Sequence, residues 1–128
     1  MLFRGLTALL ILLFLSLMVI ANTGNGTYLL TILNSIPFGD KLLHILMMGS
    51  LTAGLNLSWN FKTSKFFGRE IWTGTLIMSV LISLEEVSQG FIPYRNFEVA
   101  DLFCNYLGIY VLGTVPYFLI KWKQVFMR

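Results

Sequence analysis

The stretch SLEEVSQGFIPYRNFEVADLFCNYLGIYVLG, Ser83 to Gly113, decides how the rest of the chain is read. It leaves one long apolar segment, turns at Pro93 and enters another. Glu85, Glu86, Gln89, Arg95, Glu98, Asp101 and Asn105 lie at or just inside the two segment ends. A charge held near hydrocarbon costs about 2.5–3.5 kcal/mol on insertion scales. So many ionisable groups between bilayer-length runs therefore mark either a working site or a paired network.

The composition around this stretch points to a bilayer. The 128 residues are 56% hydrophobic and only 12% charged, with a mean hydropathy of +0.76, whereas soluble domains carry about 25% charged residues. The net charge of +3 does not imply a nucleic-acid partner, because the basic residues sit in short clusters between apolar runs, where they set membrane orientation. Cys104 is the single cysteine, so no intramolecular disulfide forms and packing is its expected role.

The expected fold is all-α, a polytopic bundle of four transmembrane helices in one membrane domain covering residues 1–128. The helices run over about residues 4–21, 41–61, 70–92 and 99–121. A leader cleaved after Ala21 competes with the first helix. The run exceeds the usual h-region of about 7–15 residues, which favours an uncleaved span. Residues 22–39, rich in Asn, Gly and Thr, read as an extramembrane loop with one interfacial turn, and Asn25-Gly26-Thr27 is too short a sequon to carry weight.

Asp40 reads as the N-cap of the second helix. Gly49 with Ala53, and Ser50 with Gly54, are small residues at helical spacing that let a neighbour approach closely. Lys62, Lys65 and Arg69 mark the next loop, and Pro116 is expected to kink the last helix near its end.

Four spans put Arg4, Lys62, Lys65, Arg69, Lys121, Lys123 and Arg128 on one side and only Lys41 and Arg95 on the other. The basic excess faces the cytoplasm, so the expected setting is the cytoplasmic membrane with both termini inside. All the acidic residues except Glu70 then lie on the outer side.

Depth and facing bring the polar residues together. At the helical rise, His44 lies about 6 Å below Asp40, while Glu86 and Asn105 lie about 9 Å below Ile92 and Val99. Thr75, Ser79 and Ser83 recur every four residues as a small polar stripe that Glu86 continues. Glu85 lies about 100° round, aligned with Met78 and Ile82, so it is expected to face lipid or headgroups. Asp101 and Asn105 share one face of the last segment, and Gly108 extends it.

These residues, in this order, resemble the VanZ-like family of small bacterial membrane proteins. The matching positions are DKLLH from Asp40 to His44, EVSQ from Glu86 to Gln89, then Pro93, Arg95, Asp101, Asn105 and Gly108, covering roughly half the chain. Met48 departs from the pattern, since the family often carries a tyrosine there, so a hydroxyl at that position is missing. The family is named for glycopeptide (teicoplanin) resistance, and the resemblance implies a cell-envelope setting more than a reaction.

Two functions are expected from different classes. In the first, an anionic lipid-linked envelope component is bound at the outer leaflet by Asp40, Lys41, Gln89, Arg95, Asp101 and Asn105. Arg95 suits a lipid phosphate because its guanidinium is planar and always charged and sits at headgroup level just after the Pro93 turn. In the second, His44 and Glu86 act as acid and base on a lipid headgroup.

Each residue also has a plain structural reading. His44 hydrogen-bonds across the bundle, Asp40 caps a helix, Glu86 locks the bundle with Arg95 or His44, and Arg95 pairs with Glu98 or Asp101. Metal binding by His44, Glu86 and Asp101 is not expected, because only one imidazole is present. No cofactor is expected, and the partners are membrane lipids or a lipid-linked polymer, with self-association left open.

The topology yields a direct test. Alkaline phosphatase fused after Ala21 or near Arg95 is expected to be active and the same fusion at Lys65 inactive. Activity at Lys65 would overturn the orientation.

Overall fold

The computed structural model describes residues 2–93 and 97–126. It is mostly helical, in the order α1 (Leu2–Asn22), α2 (Thr27–Ser35), α3 (Gly39–Ser58), β1 (Thr63–Phe66), β2 (Arg69–Trp72), α4 (Thr73–Gln89), α5 (Val99–Tyr110), a 3-10 turn (Leu112–Thr114) and α6 (Val115–Phe126). Among the described residues, two stretches are long and apolar enough to cross a membrane, Phe3–Asn22 and Val99–Phe126. At 17 residues α4 is shorter than such a span.

α3 is the central element and packs against α1, α2, α4, α5 and α6. Its small residues set those contacts. A Cβ on Gly108 of α5 would strike the Ile45 carbonyl oxygen and come within 3.0 Å of the Gly49 nitrogen, so α3 and α5 meet backbone to backbone. One turn further, Thr52 packs on Gly113. On the opposite side, Gly54 receives Thr7 of α1, whose hydroxyl lies 3.2 Å from the Ser58 hydroxyl. α1 therefore runs antiparallel to α3.

Burial is inverted relative to a soluble protein. The buried apolar core consists of Met48, Leu51, Met78, Ile82 and Ile109. Thr7, Thr52, Asn56, Thr75, Ser79, Glu86, Gln89 and Asn105 are also buried, while Leu, Ile, Val and Phe side chains along α1, α4, α5 and α6 are exposed. An apolar exterior of this extent far exceeds the patches that soluble monomers show.

Four local expectations are corrected. Residues 63–72 form an antiparallel hairpin in which Lys65 pairs with Glu70 and Phe66 with Arg69. Phe67 (φ 47°) and Gly68 (φ 77°) form a two-residue turn that folds the chain back on itself. The expected helical architecture thus holds with one small hairpin added, and α4 begins at Thr73 rather than near residue 70.

In the 22–39 loop, α2 gives nine helical residues instead of one turn, its Leu33 carbonyl lying against Gly39. Phe38, with φ 59°, precedes α3, so Asp40 sits inside the first turn rather than at the N-cap. The last segment breaks at 111–114, before Pro116 and in the middle of the run rather than near its end. The ring of Pro116 crowds the carbonyl four residues earlier, at Leu112, and its nitrogen has no hydrogen to donate.

The glycine contact carries a prediction. Gly108→Ala forces α3 and α5 apart and is expected to cost about 1–3 kcal/mol, read as a lower melting temperature in detergent. Gly5→Ala, with open space around its Cβ, is expected to leave the melt unchanged.

Candidate functional site

α3 starts, α4 ends and α5 starts at one end of the bundle, and their polar residues converge there. Lys41, in the first turn of α3, has three ammonium hydrogens, and each meets a carboxylate. Nζ lies 2.8 Å from Asp40 Oδ2, 2.6 Å from Asp101 Oδ1 and 3.1 Å from Glu98 Oε2. Hydrogen bonding to Lys41 holds the Asp40 carboxyl below the usual carboxylate range, against the upward push of partial burial.

One turn deeper, His44 bridges two residues of α5. Its Nδ1 lies 2.9 Å from Asn105 Oδ1, and its Nε2 lies 3.7 Å from Asp101 Oδ2. Asn105 is fully buried and turns its Nδ2 toward Glu86 Oε2, at 3.5 Å. An amide oxygen only accepts, so this orientation puts a hydrogen on His44 Nδ1 and turns Nε2 toward Asp101.

Glu86, on α4, is fully enclosed. Its Oε1 accepts the backbone N–H of Glu98 at 3.3 Å. Glu98 precedes α5 in extended conformation and makes no side-chain cap of its own. The carboxylate of one helix thus supplies the acceptor that the next helix lacks, at the end where its dipole favours negative charge.

The neighbouring pair behaves differently from expectation. Met78 and Ile82, which align with Glu85, are core residues. Glu85 is therefore half-buried rather than lipid-facing, and buried Gln89 donates from Nε2 to both of its oxygens, at 2.7 and 2.8 Å. Gln89 is spent on Glu85, and Asn105 on His44 and Glu86, so both position the site from behind instead of reaching outward. Arg95 lies outside the described residues.

The site as built therefore joins Asp40, Lys41, Asp101, His44, Asn105 and Glu86 in one run, from half-exposed to fully enclosed. Two of its contacts went unread in the sequence. The Glu85–Gln89 pair had a signal in its i, i+4 spacing. The role of Glu98 had none, because it depends on where α4 meets α5. Below the run, Ser83 and Tyr106 share a 2.7 Å hydroxyl contact, and Ser79 donates to Tyr110 at 3.3 Å. These bonds satisfy the stripe on α4 inside the bundle.

Compared with protein-family models, curated proteins and solved structures, the chain matches none.

The Asp40–Lys41 contact predicts a pH dependence. A carboxyl whose folded pKa is depressed stabilises the fold above its unfolded value of 3.8, and that contribution is lost as the pH falls through the lower folded value. Wild type is thus expected to melt above Asp40→Asn at neutral pH, with the gap closing below pH 3.8. A gap that persists in acid would show that the ion pair is not its source.

Proposed function

We propose that the chain is a four-span protein of the bacterial cytoplasmic membrane, of the VanZ-like kind, with both termini inside. Its polar cluster binds the anionic headgroup of a lipid-linked envelope component at the outer leaflet. The observation that carries this reading is the polar run itself. Charged groups from three helices are gathered at one end of a bundle whose sides are apolar, and they pass inward from half-exposed Asp40 to enclosed Glu86. Membrane insertion does not need such a cluster, and each charge in it is costly to keep.

Lys41 is the described cation that meets the ligand, with Arg95 as its expected companion. Of the three carboxylates on Lys41, Glu98 and Asp40 have side chains 52% and 35% exposed, against 13% for Asp101. An incoming phosphate displaces the two outer ones while Asp101 holds the ammonium in place. Binding of this kind shields the component, which is how it would contribute to resistance to a glycopeptide such as teicoplanin.

A second reading, intramembrane acid–base catalysis on the same headgroup, is favoured by the His44 geometry. Asn105 fixes Nδ1 as the donor, so Nε2 faces Asp101 and the headgroup side as the proton-transferring nitrogen, with Glu86 behind the amide.

One assay separates the two. Purified full-length protein is incubated with labelled lipid-linked envelope precursors, and bound lipid is recovered and analysed. Unchanged lipid supports binding, a new product supports catalysis, and neither outcome overturns both. Lys41→Gln is expected to weaken binding about tenfold or more, the scale of a lost charged hydrogen bond. Glu86→Gln is expected to abolish it at unchanged expression, whereas Glu85→Gln, which keeps an oxygen to accept from Gln89, is expected to reduce it less. Equal losses from the two glutamate variants would remove Glu86 from its assigned role.

A further inference from the structure

The end of the bundle opposite the polar site carries a second surface. There the β1–β2 hairpin projects from the ends of α3 and α4. At its tip Phe67 is 91% exposed and Phe66 44%, with the two rings edge to face at 4.6 Å. Phe67 holds φ 47°, a left-handed conformation that bulky side chains seldom adopt and that Asn or Gly normally fills in such a turn. An exposed aromatic residue kept where local backbone preference opposes it contributes nothing to the core.

The surroundings of this tip are basic. Lys62, Lys65 and Arg69 are all exposed, and Glu70 is the single acid in the hairpin. Phe61, Trp72 and Tyr117 form an aromatic cluster with ring centroids 4.8–5.4 Å apart that ties the hairpin base to α6. Lys121 lies over the Tyr117 ring at 5.0 Å. α6 continues with exposed Trp122 and Phe126, tilted together at 5.2 Å, and exposed Lys123. Aromatic rings at headgroup level with lysine and arginine beside them match the chemistry of a bilayer interface, and the excess of positive charge selects anionic headgroups.

We infer that the hairpin at residues 63–72 is an anionic-phospholipid contact: the Phe66–Phe67 tip enters the interfacial layer while Lys62, Lys65 and Arg69 take lipid phosphates. The hairpin stem holds the tip at a fixed distance from α4 and so sets the depth of the bundle at this face. The inference rests on membrane insertion and not on what the polar cluster at the other end binds.

The test uses the full chain with Cys104→Ser and Phe67→Cys, carrying an environment-sensitive dye at position 67. It is reconstituted in phosphatidylcholine nanodiscs with or without phosphatidylglycerol. Phosphatidylglycerol is expected to shift the dye emission to the blue and to expose it to quenching by nitroxide-labelled lipid. Lys62→Gln/Lys65→Gln/Arg69→Gln together is expected to weaken this response on the order of a hundredfold in lipid concentration, each basic residue contributing about fivefold. Helix content by circular dichroism verifies the fold of that variant. Phe66→Ser, which leaves the basic residues in place, is expected to reduce nitroxide quenching in the folded protein.

Glu86→Gln is expected to leave the dye response intact, so failure of the headgroup reading at the other end is told apart from failure here. A dye that stays aqueous with phosphatidylglycerol, or one that responds to a soluble polyanion such as polyglutamate but not to the lipid, overturns the assignment.

Discussion

The close approach of α3 and α5 at Gly49 and Gly108 is the contact on which the rest of the bundle depends. With no Cβ at Gly108, the Ile45 carbonyl and the Gly49 nitrogen lie against the α5 backbone. One turn toward the polar end, the same approach brings His44 to Asn105; one turn the other way, it brings Thr52 to Gly113. At so close an approach, backbone proximity and interhelical hydrogen bonds carry the association.

The polar interior follows from that mode of packing. Asn56 donates to Thr75 Oγ1 at 2.9 Å between α3 and α4, and Ser83 meets Tyr106 between α4 and α5. The three helices are thus joined by side-chain hydrogen bonds at several depths, with five buried apolar residues filling the space between. Glu86 and Asn105 are the costliest members of the set, because each brings strongly polar atoms to full enclosure. They are satisfied by the N–H groups and the imidazole that the neighbouring helices present.

The two ends of the molecule have opposite character. One gathers Asp40, Glu85, Glu86, Glu98 and Asp101 around Lys41 and His44. The other presents Lys62, Lys65, Arg69, Lys121 and Lys123 among aromatic rings. The acidic end is drawn inward into hydrogen bonds, and the basic end stands outward on a hairpin and a helix terminus. The first arrangement suits recognition within the bundle and the second suits a surface.

Several features were legible in the chain before folding. The apolar excess, the long first helix, the long apolar last segment, the polar stretch from Ser83 to Asn105, and the stripe of Thr75, Ser79 and Glu86 follow from composition and helical periodicity, which act within a few neighbouring residues. The break ahead of Pro116 belongs with them in cause, though its position did not.

Tertiary structure decided the partners. Lys41 meets Asp101 and Glu98 across some sixty residues, and Glu85 turns to the core because Met78 and Ile82 do. The His44 tautomer is set by an amide that itself faces Glu86. The hairpin at 63–72 was hidden because its strands are four residues each, too short for a periodic signal, and its Phe67-Gly68 turn lacks the usual Asn or Asp. Periodicity tells which face of a helix is polar. It cannot tell which helix lies opposite, because that choice is made where glycines on separate helices let two backbones touch.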